Sequence, residues 1–139
     1  MRIAVDFDGT IVEHKYPEIG KEKLFAIETL KELQKQGHQI ILWTNRHGKA
    51  LDEAVEYCRK RGLEFYAINK NYPEEIFDEN LVSRKIYADI YIDDRNLLGF
   101  PGWVETWKIL TNQQNFEIKN KKNNFIKKFF TSIFKSKKL

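Results

Sequence analysis

An α/β fold, a three-layer arrangement of helices around a parallel sheet, is predicted by three features of the chain. Short apolar runs alternate with stretches whose apolar residues recur at helical spacing. The first two such stretches each end at a glycine, Gly37 and Gly62, where a helix C′ glycine belongs. With 139 residues the chain holds one core.

In chain order, Ile3, Ala4, Val5 and Phe7 form an apolar run too short for a helix and ended by Asp8-Gly9-Thr10, which predicts a buried strand turning at Gly9. From Lys21 to Gln36 the residues Leu24, Ile27, Leu30 and Leu33 recur every three positions, with Phe25 and Ala26 widening the stripe. That spacing predicts one amphipathic helix. Gln39 to Trp43 reads as a second strand, and Ala50, Leu51, Ala54, Val55 and Cys58 as the apolar stripe of a second helix. Leu63 to Ile68 and Ile86 to Ile92 supply a third and a fourth strand, separated by a weakly patterned stretch. Strand and helix alternating in this way imply parallel pairing.

Composition narrows the class. With 42% hydrophobic and 32% charged residues, seven Gly and three Pro, collagen-like, low-complexity and wholly disordered chains are excluded. The single cysteine, Cys58, allows neither an internal disulfide nor a thiolate metal cage, so a reducing, cytoplasmic setting is expected. Two carboxylates within the first eight residues argue against a signal peptide, and no apolar run reaches the ~18 residues a membrane span needs. The formal charge of +4 is split: residues 119–139 hold eight Lys and no acid, leaving 16 basic against 20 acidic residues before them. Charge concentrated in one terminal segment disfavours nucleic-acid binding through the whole fold.

In open α/β sheets ligands bind outside the carboxyl ends of the strands, so the residues after each apolar run are the candidates for chemistry. The first strand ends in Asp6-Phe7-Asp8-Gly9-Thr10 and the fourth in Asp93-Asp94. Either pair alone reads as a solvated acidic turn. Together they bring four carboxylates to one sheet edge, where their repulsion asks for a cation. Oxygen-only donors suit Mg²⁺, with Asp6, Asp8, Asp93 and Asp94 as its expected ligands. The second strand ends at Trp43-Thr44-Asn45, where a hydroxyl and a helix start favour phosphate oxygens, although a plain helix cap is the bland alternative. Lys85, just before the fourth strand, can add positive charge there or remain solvated.

With Asp6-Phe7-Asp8-Gly9-Thr10, Thr44, Lys85 and Asp93-Asp94 in this order, residues 2–104 resemble the haloacid dehalogenase (HAD) superfamily, specifically its magnesium-dependent phosphatases. The resemblance implies a Rossmann-like sheet and a phosphomonoester hydrolase working through an aspartyl-phosphate. Asp6 is then the nucleophile, Asp8 the general acid and base, and Asp93 with Asp94 the metal-holding pair. Gly9, Thr44, Asn45 and Lys85 are assigned to the phosphate. The family's lysine often lies farther upstream than Lys85, which stands eight positions before Asp93, so Arg84 and Lys70 are alternative sources of that charge. A phosphoacceptor signalling domain has its paired acids after the first strand and its phosphorylated Asp later, the reverse of the order implied here. A phosphate-binding or scaffolding module that turns nothing over is the other alternative, and the intact set of acids favours the enzyme.

The gaps after Thr10 and Ile68 leave no room for an inserted cap domain. Similar capless relatives act on exposed or large phosphorylated groups, or form homo-oligomers in which a neighbour covers the site. Substrate selection then falls to short loops, with His14, Arg46, His47, Asn69 and Lys70 as candidates beside Glu13, Tyr16, Pro17, Asn71 and Tyr72. The expected partner is a phosphorylated small molecule or an exposed phosphate on a larger one. The chain divides on this reading into a phosphatase domain, 1–116, and a basic amphipathic tail, 117–139. In the tail Phe125, Ile126, Phe129, Phe130, Ile133 and Phe134 fall on one helical face among lysines. Such a face fits an anionic membrane surface, which would make the protein membrane-peripheral, or docking on a protein partner or on the acidic body itself.

Overall fold

The computed structural model describes residues 1–111; the expected tail, with its apolar face and lysines, lies outside the described residues. The chain separates into two units, residues 1–103 and 104–139. The first unit carries a four-stranded parallel sheet of β1 (Arg2–Val5), β2 (Gln39–Leu42), β3 (Ala67–Ile68) and β4 (Ile90–Ile92), ordered β3-β2-β1-β4. Two helices follow its strands, α1 (Ala26–Lys35) and α2 (Gly48–Arg59). A third, α3 (Trp103–Leu110), begins at the last residue of the first unit and belongs otherwise to the second, with an ion pair of its own between Lys108 and Glu105. This is the Rossmann-like α/β architecture without a cap.

Both faces of the sheet are buried, as parallel sheets require. One face gathers Ala4, Ile41, Ala67 and Ile86, flanked by Trp43, Tyr66, Ala88 and Tyr91. Alternation sends Ile3, Val5, Ile40 and Leu42 to the other side, where all four are fully buried. In register, Val5 pairs with both Leu42 and Ile92, and Leu42 with Ile68. Asp6, Trp43, Asn69 and Asp93 therefore leave the sheet at one level.

Three expectations about the elements are corrected. The first helix starts at Ala26, because residues 21–23 are drawn into pairing with the loop after β1: Glu22 bridges Val12, and Lys23 N–H donates to the Ile11 carbonyl. Leu24 and Phe25 are consequently exposed (76% and 48%), and Phe25 takes a left-handed φ of 64° as the chain enters the helix. The third and fourth strands shrink to Ala67–Ile68 and Ile90–Ile92. Leu63 and Ile86 are buried nonetheless, so their hydrophobicity reports core packing and not strand. Leu63 N–H caps α2 at the Cys58 carbonyl, and the Ile86 carbonyl accepts the Tyr91 hydroxyl. Gly37 and Gly62 do close the two helices: at Gly37, with φ 85°, His38 N–H reaches the Leu33 carbonyl and Gly37 N–H that of Gln34.

Candidate active site

The site is assembled at the carboxyl ends of β1, β2 and β4. Asp6 N–H donates to the Ile92 carbonyl, which extends the β1–β4 ladder by one bond and sets Asp6 against Asp93. The chain then folds sharply, with the Phe7 carbonyl accepting from Thr10, Ile11 and Val12, and Gly9 N–H returning to Val12. Gly9 has φ 90°, and a Cβ there would lie 2.3 Å from His14 Nε2 and 2.4 Å from Asp94 Oδ2. A glycine is needed for the conformation and for the space alike. The turn is tied to its surroundings through Thr10, whose hydroxyl accepts Asp94 N–H and whose carbonyl accepts the buried Trp103 indole N–H.

Asp6, Asp93 and Asp94 each offer an oxygen within 4.8 Å of the others. Asp8, expected among the cation ligands, is not part of this group. Burial first, and then the charges of Asp93, Asp94 and Asp8, push the Asp6 carboxyl from 3.8 up to about 7, against the opposing pull of a Phe7 backbone hydrogen bond. Asp94 Oδ1 is buried and has no hydrogen-bond partner among the described residues, while its Oδ2 sits 2.8 Å from His14 Nε2. Three crowded carboxylates, one destabilised by burial and then by its neighbours and one with an orphaned oxygen, fit a hard divalent cation. The chemistry of the donors supports that fit, since all are oxygens.

Asp8 faces the same cavity as Asp6 and Asp93 but is held by an arginine. Arg46 grips it with two bonds of 2.7 Å, Nε to Oδ2 and Nη2 to Oδ1. The other N–H groups of Arg46 go to the carbonyls of Pro17, Glu18 and Ala50. All five guanidinium donors are then committed, and the residue is only 2% exposed. Arg46, expected to select substrate, has no donor left for one. Its burial in place of a solvated loop position comes from this saturation, and from the Phe7 and Tyr16 rings, 5.0 Å and 5.2 Å from the guanidinium carbon.

A cavity of about 150 Å³ opens over these groups, lined by Asp6, Asp8, His14, Tyr16, Asn45, Asp93 and Arg95. Thr44 is not among the lining residues, although its neighbour Asn45 is: the Asn69 side-chain oxygen accepts Thr44 N–H, and the Thr44 hydroxyl accepts Arg46 N–H. Asn69 thus supports Thr44 and is not itself part of the lining. Lys85, Arg84, Lys70 and His47 do not line the cavity either. The Lys85 ammonium is 5.2 Å from the Tyr91 ring centroid, and Arg84 lies over Phe77. Lys70 donates to the Pro73 carbonyl, and His47 turns to the Asn45 carbonyl.

Arg95 is the lining residue that sequence reasoning missed. Its backbone N–H is held by Asp93 Oδ1, and its exposed guanidinium has no protein partner among the described residues. Its place directly after the Asp93-Asp94 pair was the available signal. A larger, open groove of about 730 Å³ runs along α2 past Glu18, Lys49, Glu53, Glu56 and Lys60. It contains none of the strand-end residues, and its lysines are paired with Glu53 and Glu56.

A Rossmann-like sheet with its acids gathered at one strand-end cavity defines a hydrolase-type α/β domain. A profile describing haloacid dehalogenase-like hydrolases matches residues 3–138, and the chain belongs to that family. The chain is similar to a conserved protein from Bacteroides thetaiotaomicron of solved structure, with 56% identity and a TM-score of 0.78 over 84% of this chain and 94% of that one. No curated protein matches the chain. Among the described residues no helix is long and apolar enough to cross a membrane.

Proposed function

We propose that the protein is a Mg²⁺-dependent phosphomonoester hydrolase in which Asp6 is the nucleophile. The observation that carries this reading is the triad of Asp6, Asp93 and Asp94 with its orphaned Asp94 oxygen, of which Asp6 and Asp93 line a cavity that also holds the donors His14, Tyr16, Asn45 and Arg95. When bound, the cation supplies the positive charge that keeps Asp6 ionised and lets it approach an anionic phosphoryl group. Asp6 would attack phosphorus in line, and an acyl-phosphate bond from its carboxylate oxygen to phosphorus would form as the ester bond to the leaving oxygen breaks. Asp8 would deliver a proton to that oxygen and later take one from the water that cleaves the aspartyl-phosphate. The Thr44 hydroxyl, Asn45 and the Arg95 guanidinium would hold the transferring oxygens, with Arg95 in the part first assigned to Lys85, while Gly9, whose N–H is given to the Val12 carbonyl, would shape the turn instead of binding phosphate.

The cavity accommodates little more than a phosphoryl group, which supports a substrate whose remainder lies outside it. Leu97 and Leu98, fully exposed just beyond Arg95, extend that outer surface. A phosphorylated small molecule and an exposed phosphate on a larger molecule both meet this description. The test is a panel of phosphate esters assayed with and without Mg²⁺ beside Asp6→Asn and Asp93→Asn. Mg²⁺-dependent release of phosphate is expected from the wild type and none from Asp6→Asn, while Asp93→Asn should need more Mg²⁺ for half its maximal rate. Release by Asp6→Asn at the wild-type rate would sink the reading.

A further inference from the structure

We infer that Arg46 is a positioning residue for hydrolysis, holding Asp8 and the substrate-side loop in one fixed relation. The inference rests on the phosphatase reading, because it assigns Asp8 a proton-transfer role. Four observations support it. The fork contacts both oxygens of Asp8 at 2.7 Å, which sets the plane of the carboxylate as well as its distance. It takes one lone-pair direction on each oxygen and leaves the other for a proton in transit.

The remaining donors tie that carboxylate to two separate pieces of backbone, the Pro17 and Glu18 carbonyls on the loop after β1 and the Ala50 carbonyl in the first turn of α2. Tyr16, which lines the cavity, stacks on the same guanidinium. The acid–base group, the cavity rim and the helix that follows Thr44 therefore share one anchor. Finally, the anchor is enclosed, since Arg46 is 2% exposed and Phe7 closes its other face. A lysine could keep the charge but could not reproduce the fork.

The test is Arg46→Lys, with Arg46→Gln as a second variant should the first not fold, each checked by thermal melting before assay. Wild type, variant, Asp8→Asn and the double variant are mixed rapidly with p-nitrophenyl phosphate in Mg²⁺. The leaving group of this ester departs as an anion without a proton, so the first burst of p-nitrophenolate reads attack by Asp6 and the later steady rate reads water attack directed by Asp8. The expected result is a burst near the wild-type rate followed by turnover slowed roughly 10²-fold, the scale of a misplaced catalytic group. In the Asp8→Asn background the Arg46 change should add little, because the group it acts through is already gone. Burst and turnover falling by one common factor, or an equal loss in the Asp8→Asn background, would overturn the inference and leave Arg46 a structural residue. A wild type inactive toward every ester of the panel is a different outcome, and it removes the phosphatase reading and this inference together.

Discussion

Asp6→Asn should abolish turnover and, in the absence of divalent cation, make the protein more stable. The Asp6 carboxyl stands at about 7 in the folded chain against 3.8 for an unperturbed one, through burial first and then through Asp93, Asp94 and Asp8. Below about pH 4 the group is protonated in both folded and unfolded chains and costs nothing. Between pH 4 and 7 the unfolded chain releases the proton while the folded chain keeps it, so stability falls as pH rises, at about 1.36 kcal/mol per pH unit. Above pH 7 the whole cost, roughly 4 kcal/mol, has accumulated. Because Asp6 is partly open to solvent, half of that, about 2 kcal/mol, is the better expectation.

Asparagine has the shape of the carboxylate without its charge and escapes this cost. The assay is thermal unfolding followed by circular dichroism in chelator at pH 5 and pH 8. The variant should melt about 6 °C above the wild type at pH 8, and by roughly a third of that at pH 5, where only the first part of the cost has built up. Saturating Mg²⁺ should then raise the wild type by about 2.7 kcal/mol at one hundred times its dissociation constant, closing the gap or reversing it. A variant less stable than the wild type at pH 8 in chelator, or a gap that ignores pH, would refute the claim that these three carboxylates are held together against their own repulsion.

Arg95→Ala should raise KM for a phosphate ester about 10- to 100-fold with a smaller effect on kcat, the scale of one charge-assisted hydrogen bond, whereas Lys85→Ala should leave both nearly unchanged; steady-state kinetics on the two variants decides between them. Gly9→Ala should lose Mg²⁺-dependent activity and ~1–3 kcal/mol of stability, because its Cβ would meet Asp94 and His14 at a φ of 90°; a denaturant titration matching the wild type would remove Gly9 from the architecture of the site. Removal of residues 117–139, with the eight lysines of the terminal segment, should preserve hydrolysis of a soluble ester while abolishing salt-sensitive adhesion to anionic vesicles, as read by sedimentation. No adhesion by the full chain would discard the membrane reading of that segment.

What was legible in the sequence was what depends on near neighbours. Asp6 and Asp8 announce themselves because they follow an apolar run within two residues of each other, and Asp93 because it follows another such run; a parallel register then brings the strand ends to one level. The start of the first helix was not legible, since Leu24 and Phe25 continue the apolar spacing while the backbone before them is claimed by the loop after β1. Tertiary pairing overrode periodicity there. Arg46 shows the same limit at the site. In the sequence it is a cation in a loop beside His47, indistinguishable from a solvated one. Its five acceptors lie up to 38 positions away, on residues that only folding brings within reach. Motif order pointed to Lys85 for the phosphate, yet the short fourth strand leaves Lys85 on a segment directed to Tyr91, while Arg95 follows the Asp93-Asp94 pair directly and reaches the cavity. The carboxylates of such a site are set by strand ends and can be read locally. The cations that balance and hold them are long side chains whose targets are chosen by packing, and for that reason the electrostatics of this site had to be read from its structure.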